Sequence, residues 1–472
     1  MKINKVLYRL FGIFVTKNNL LYFFTIFFAL PIFVQAQTAM LPPPPMPPFQ
    51  HTAPRSAGQK YIEEVWSELE NATFATPTFE ELGTLHEGYS FEEIWELARK
   101  SNPSLRKKAN LITAARGQKT QKSLYPNPTL FYAGDNLGVN DKIGKHGLAI
   151  SQEIVPAKKK KLDRAIASFD VIAAQKEYSM ECVKLHNDLH IAYNELIHAI
   201  LICKVEQFAQ DISNDLLQVA KTLQAAGKSN SIDVLQFQTM LFSSALNLKQ
   251  AENNRLAKWQ NLVSIAGIPD LPYQPVRGSL IDRTPRRDWK TTWTQFQHTS
   301  PQLELANLKI TQARSQLARA KADRTSNVVA TFSMARDIPA KKTVPFVGIL
   351  LPLNIYDRNQ GNIAKAGAEV AVTNREVERL TLSLQKRLAE VFYRYDNACE
   401  LIRVYEKNII PDSFEALRKI GENYSDGKMT YLELYAQRKF VINTLLQYID
   451  ALKTKAITTI QIDGMLLEGT LD

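Results

Sequence analysis

The chain has 472 residues, with 58 lysines and arginines against 47 acids and a formal net charge of +11. Apart from Lys158 to Lys161, the basic residues are dispersed through helical stretches, a poor footprint for nucleic acid. Three cysteines, at 182, 203 and 399, provide no disulfide framework, so an exported chain of this kind must draw its stability from packing or assembly.

The first 36 residues read as a secretory signal. Lys2, Lys5, Arg9 and Lys17 give a basic start, Leu20 to Val34 is apolar, and Val34-Gln35-Ala36 suits cleavage after small residues. The competing reading is a retained anchor, for which the apolar run is short. Cleavage before Gln37 removes four cations and no acid, taking +11 to +7. No cysteine follows the apolar run, so a lipoprotein-type anchor is not expected.

LPPPPMPPF, Leu41 to Phe49, reads as extended polyproline, and residues 37–88 as an N-terminal arm with one short helix at most. From Tyr89 the pattern sharpens. Ser90 and Glu93 fit a capping box, with Phe91, Ile94, Leu97 and Ala98 at helical spacing. Asn102-Pro103 opens a second helix, which YPNP ends at Tyr125 to Pro128. Thr129 to Ala133 and Gly147 to Val155 then read as two strands around a Gly/Asn/Asp-rich loop.

Ala157 to Leu223 contains no proline or glycine and predicts one helix of about 100 Å, far beyond the usual three turns. Leu185, Leu189, Ala192, Leu196, Ala199, Ile200 and Cys203 form a stripe for packing against other long helices, and the polar residues between them rule out a hydrophobic span. Cys182 and Cys203 share this helix about 30 Å apart and cannot bond within it, whereas pairing of either with Cys399 stays open. Gly227 ends the helix, a return helix follows from Ser231 to Ala266, and residues 269–288 are proline-punctuated and non-periodic.

The series then starts again. NPSLRKKANLITAARGQ at 102–118 aligns with SPQLELANLKITQARSQ at 300–316, and AGKSNSIDVLQ at 226–236 aligns with DGKMTYLELYA at 426–436. The offsets are 198 and 200, the mark of a duplicated unit. The second copy has strands at Val328 to Met334 and Val344 to Ile355, and a long helix over 359–425 that Pro411 should kink or break. A last helix runs from Thr430 to Leu467. The organisation is therefore a signal at 1–36, an arm at 37–88, a first repeat at 89–280 with its hairpin at 129–155, and a second repeat at 281–472 with its hairpin at 327–355. The class is mainly α with a small β part.

Four strands cannot close a membrane barrel, for which about eight are needed, nor can they leave open edges in lipid. Three chains would supply twelve strands, with the long helices forming a hollow wall beneath them. At this point the repeats, hairpins, paired long helices and two Gly-x5-acid turns resemble the TolC-type outer-membrane efflux channels of Gram-negative bacteria, from Tyr89 to the C-terminus. The resemblance implies a homotrimer with a twelve-stranded barrel in outer-membrane lipid and an α-helical periplasmic tunnel. It also implies a periplasmic adaptor and an inner-membrane pump as partners. QEIVPAKKKKLDRA, residues 152–165, is similar to the segment entering the long helix in the heavy-metal cation branch, although Ala157 and lysines stand where that branch usually has Gly-Lys-Arg. Lys158 to Lys161 would sit at the barrel–tunnel junction near lipid headgroups.

In that family the narrow periplasmic end is a gate. By position, Gly227 and Gly427 make the two turns, Asp233 matches a gate aspartate, Tyr424 its tyrosine partner, and Glu433 a carboxylate ringing the pore. Met429 replaces the expected arginine. The plainer readings are an acid favoured by a helix N-terminus for Asp233 and a solvated helix face for Glu433. His186 and His190, with Asp188 and His198, could form a metal patch, but a solvated helix face is the better reading. No nucleophile–base set, phosphate loop or cysteine–histidine array is present, so neither enzyme activity nor a cofactor is expected. The alternative function is a periplasmic coiled-coil tether or adaptor without a pore.

Overall fold

The computed structural model describes residues 84–135, 144–227, 230–425 and 428–470. The expected signal and most of the expected arm, including the LPPPPMPPF segment, lie outside them. Two helix–hairpin–long helix–helix units follow in order: β1 (Thr84–Leu85), α1 (Phe91–Ser101), α2 (Pro103–Ser123), β2 (Thr129–Asp135), β3 (Lys145–Ile154), α3 (Ala157–Ala225), α4 (Ser231–Ala266) and β4 (Gly278–Ser279) form the first. The second has α5 (Trp289–Thr299), α6 (Pro301–Ala322), β5 (Val328–Asp337), β6 (Lys342–Leu350), α7 (Gln360–Val404), a π turn (Tyr405–Ile409), α8 (Ile410–Ser425) and α9 (Tyr431–Asp463).

Local chemistry sets these boundaries. Ser90 Oγ accepts from Glu93 N at 3.3 Å while the Glu93 carboxylate accepts from Ser90 N at 2.8 Å, the expected capping box. Asn102 and Ser300 are the N-caps of the repeated helices α2 and α6, each followed by proline at the first helical position, where a missing N–H costs nothing. Gly267 closes α4 at φ 76°, a left-handed conformation suited to glycine.

The first long helix is one uninterrupted rod of 69 residues. In the second, the α-helical ladder is interrupted just ahead of Pro411. Pro411 has no N–H to offer the preceding turn. Just ahead of it the ladder widens, and Ile410 N donates to the Tyr405 carbonyl five residues back. The π turn therefore absorbs the misfit, and the helix resumes as α8. Strand β6 ends at Leu350 rather than Ile355, where it pairs with Val329 at the start of β5.

The largest core lies midway along α3. Leu185, Leu189, Leu196, Ile197 and Leu201 are almost fully buried against Ile94, Leu262, Val276, Tyr448 and Leu452. The two-residue strands β1 and β4 pair here, with Thr84 opposite Ser279, so the arm's last residues and the proline-punctuated loop are pinned together. Pairs this short carry no sequence period. Tyr193 Oη donates to the Tyr89 carbonyl at 2.8 Å in the same place. The second repeat has a smaller counterpart core built on Leu384, Leu388, Tyr395, Phe296 and Leu303.

The histidines of α3 overturn the expected solvated face. Helix α1 lies across them: Phe91 stacks on His190 at 4.4 Å between ring centroids, and Phe91 and Trp95 each meet His186 edge-on at 5.1 Å. His198 Nε2 contacts Asp450 on α9 at 2.8 Å, and the Asp188 carboxylate accepts from the N–H groups of Gly469 and Thr470 at 3.1 and 2.6 Å. Among the described residues no three His, Cys, Asp or Glu side chains are grouped to hold a metal, and all three cysteines are free.

Burial holds the His190 imidazole down at about 4, well below its ordinary 6.5. Because the folded value is depressed, its contribution to stability is complete above about 6.5 and declines as pH falls towards 4. His190→Leu should flatten that part of the pH–stability curve, measured by thermal unfolding from pH 7.5 to 4.5. A second tie is structural: Asn187 Nδ2 donates to the carbonyls of Gly464 and Leu467 at 2.9 and 2.8 Å. Asn187→Leu strands both buried acceptors and should cost about 2 kcal/mol, read as a lowered unfolding midpoint.

Candidate functional site

Two regions concentrate what the fold leaves unpartnered, the four-stranded sheet at one end of the long helices and the two turns at the other. The sheet has the order β2-β3-β5-β6 and is antiparallel throughout. Its centre joins the two repeats, with Ile150 opposite Phe332 and Leu148 opposite Met334. Strands β2 and β6 are its open edges.

The register sorts the faces. Leu130, Tyr132, Leu148, Ile150, Phe332, Met334, Val347 and Ile349 share one face by two-residue alternation and cross-strand pairing. All are exposed, Val347 and Ile349 by 73% and 74%. The opposite face carries mostly small or hydroxylated residues at the centre, Gly147, Ala149, Ser151, Thr331, Ser333 and Ala335. A continuous bare apolar face on an open-edged sheet is tolerated only where something apolar covers it. Strands β3, β5 and β6 have 10, 10 and 9 residues, matching the roughly 9–11 a tilted strand needs to cross a bilayer. None of the described helices is long and apolar enough to cross a membrane.

At the other end, Gly227 adopts φ 70° and its N–H donates to the Gln224 carbonyl at 2.9 Å, turning the chain out of α3. Asp233 and Glu433 occupy the same place in the two repeats, the third residue of a return helix, and each closes a capping box. The Asp233 carboxylate accepts from Asn230 N at 3.4 Å, and Asn230 Oδ1 accepts from Asp233 N at 2.9 Å. The Glu433 carboxylate accepts from both the N–H and the hydroxyl of Thr430 at 2.7 Å. The Thr430 backbone bond holds the Glu433 carboxyl below its ordinary range. Within the chain, both acids therefore first serve their own helix ends. Tyr424 belongs to α8, but its side chain and the whole of Gly427 lie outside the described residues. Met429 is half-buried beside the second turn.

The fold brings the two turns together. Tyr435 of α9 meets Phe237 of α4 at 6.5 Å and packs on Leu216, Leu217 and Ala220 of α3. Nearby, Arg438 is 6% exposed and its charge acts across the helix contact on Asp215. Burial raises the Asp215 carboxyl, and Arg438 partly offsets that rise. Sequence reasoning passed over Arg438, although it sits at core spacing with Leu434, Val441 and Leu445. Ile232 and Leu432, matching residues one step before Asp233 and Glu433, stand exposed at the tips.

No family model matches the chain. Its backbone is similar to that of the outer-membrane channel OprN, with a TM-score of 0.68 and 16% identity over 80% of this chain and 90% of that one. The chain has the fold of the TolC-type outer-membrane channels. CusC, whose structures describe transmembrane channel formation, has a TM-score of 0.65 at 15% identity, covering 84% of this chain and 98% of its own. In sequence, the cobalt-zinc-cadmium resistance protein CzcC of Cupriavidus metallidurans is 20% identical over 377 residues, covering 79% of this chain and 88% of that protein.

In this fold the two tips are helix N-termini held by side-chain caps. Asn230→Ala should weaken the start of α4 by about 1 kcal/mol, visible as faster amide exchange at residues 231–234 with the Leu196 core unchanged. Glu433 bonds as the carboxylate and its folded value is lowered, so its cap persists above the ordinary 4.5 and is lost as pH falls through the folded value.

Proposed function

We propose that this chain is the outer-membrane exit duct of a tripartite efflux system. Three copies close a twelve-stranded barrel, and their long helices form a periplasmic tunnel. An adaptor and an inner-membrane pump deliver cargo to its narrow end. The observation carrying the reading is the open four-stranded sheet with one apolar face, set on two helices of about 100 Å. Strand edges cannot remain unpaired in lipid, and pairing β2 of one copy with β6 of the next removes them. The same sheet argues against a pore-free coiled-coil tether, which has no use for a lipid-facing band. A passive conduit needs no bond-making chemistry, in keeping with the absence of catalytic motifs from the sequence.

The tips are the constriction, with Gly227, Asp233, Tyr424, Gly427 and Glu433 at its turns. Asp233 and Glu433 stand at matching places in the two turns, so three copies would ring the entrance with acidic side chains that attract cations. Similarity to CzcC, a protein named for cobalt, zinc and cadmium resistance, favours divalent cations as cargo. Exposed Ile232 and Leu432 offer the adaptor apolar contacts at the tip.

The purified chain should run as a trimer, fractionate with outer membrane and add conductance to a planar bilayer. A non-conducting monomer in the soluble fraction would sink the proposal. Asp233→Ala and Tyr424→Phe should each raise conductance several-fold if they lock the entrance. Unchanged conductance removes them from the lock.

A further inference from the structure

The lysine run at the start of α3 does not act as one patch. Lys159 is buried. Its Nζ donates to Asn327 Oδ1 at 2.9 Å and pairs with Asp323 at 3.2 Å. Lys160 Nζ turns inward onto the Leu124 carbonyl and lies 5.6 Å from the centre of the Tyr125 ring. Lys158 and Lys161 face outward. The run thus both fastens the sheet to the helices and leaves charge on the surface.

The acids of the junction are occupied in that fastening. Arg319 Nε donates to Asp163 at 2.6 Å, and its Nη1 approaches Asp323 at 2.5 Å as an ion pair without hydrogen-bond alignment. Burial disfavours the charged Asp323, but Arg319 and Lys159 outweigh it and hold its carboxyl below the ordinary range. Glu153 accepts from Asn327 Nδ2 at 2.6 Å, and Asp357 accepts from Asn359 N at 2.8 Å. In the four segments that meet here, 119–128, 153–164, 319–330 and 350–362, eleven lysines and arginines stand against those four acids. Among the cations, Lys122, Lys158, Lys161, Lys321, Arg324 and Arg358 are exposed.

These cations lie in the segments that adjoin the helix-side ends of the strands. Between them and the strands, Tyr125 is 59% exposed and Tyr356 91%, as expected of aromatic side chains at a membrane–water interface. Apolar strands, tyrosines and then unmatched cations follow the order of hydrocarbon, interface and phosphate in a lipid leaflet.

We propose that the helix side of the sheet is a basic collar that binds the headgroups of anionic phospholipids. The proposal rests on the duct reading, because it needs the sheet to lie in a membrane. Binding is electrostatic, so it weakens as salt screens it. Tyr125 and Tyr356 fix the depth at which the cations meet the phosphates.

The test is lipid selection by the full-length assembly, purified from mixed micelles of phosphatidylglycerol and phosphatidylcholine. The native protein should retain phosphatidylglycerol in excess, and 0.5 M NaCl should reduce that excess. A variant carrying Lys158→Gln, Lys161→Gln, Arg324→Gln and Arg358→Gln should lose the preference, by up to about five-fold per cation removed. Lys290→Gln with Lys309→Gln, exposed lysines away from the junction, should preserve it. Equal retention by native protein and the four-site variant overturns the collar, as does a preference indifferent to salt. Planar-bilayer conductance on the same samples separates the two readings. A conducting native protein without lipid preference defeats only the collar, whereas failure to enter bilayers defeats the duct.

Discussion

A helix of about 100 Å is stable in water only if a partner covers one stripe along its length. This constraint shapes both repeats. Helix α3 is covered in sections, by α4 along its return, by α1 and β4 at mid-length, and by α9 from the second repeat. The deepest burial falls where those sections overlap, at Leu185 to Leu201. Towards the turns the cover thins to Leu216, Leu217, Ala220 and Phe237 in the first repeat and Leu417, Leu434, Val441 and Leu445 in the second. Phe242 and Leu246 on α4 and Leu382 and Tyr393 on α7 remain exposed, so one chain does not exhaust the demand for cover.

The repeats are alike in plan and different in mechanics. The first rod runs unbroken, whereas Pro411 forces the second through a π turn before it reaches its tip. The tips differ in chemistry too, with Asn230 and Asp233 closing one cap and Thr430 and Glu433 the other. Duplication supplied the geometry, and divergence then separated the chemistry of the two tips. At the opposite end the copies are joined tightly: Lys159 and Asp163 of the first meet Asp323, Arg319 and Asn327 of the second. That half-buried network, with Lys159 at its centre, ties the strands to the helices and leaves the surface around it basic.

Much of this architecture was legible because it is written in local patterns. The absence of glycine and proline over 157–223 marks a long rod, Ser90-x-x-Glu93 marks a helix start, and the offsets of 198 and 200 reveal the duplication. The histidines misled for the opposite reason. Periodicity places His186 and His190 on one side of α3 but is silent about what crosses it, and helix α1 brings Phe91 and Trp95 onto them from almost one hundred residues away. Asp233 and Glu433 could be located by their distance from a glycine, whereas their bonds to Asn230 and Thr430 needed coordinates.

By itself the sequence determined the elements, their duplication and the amphipathic character of the strands, because propensity, capping and periodicity act over a few residues. Only the tertiary structure decided which surfaces are consumed. It paired β3 with β5 across the repeat boundary, drew Lys159 inward while leaving Lys158 and Lys161 outside, and buried Arg438 between helices near Asp215. Each of these outcomes depends on atoms far apart in the chain, and burial and charge pairing are properties of that meeting rather than of any single stretch.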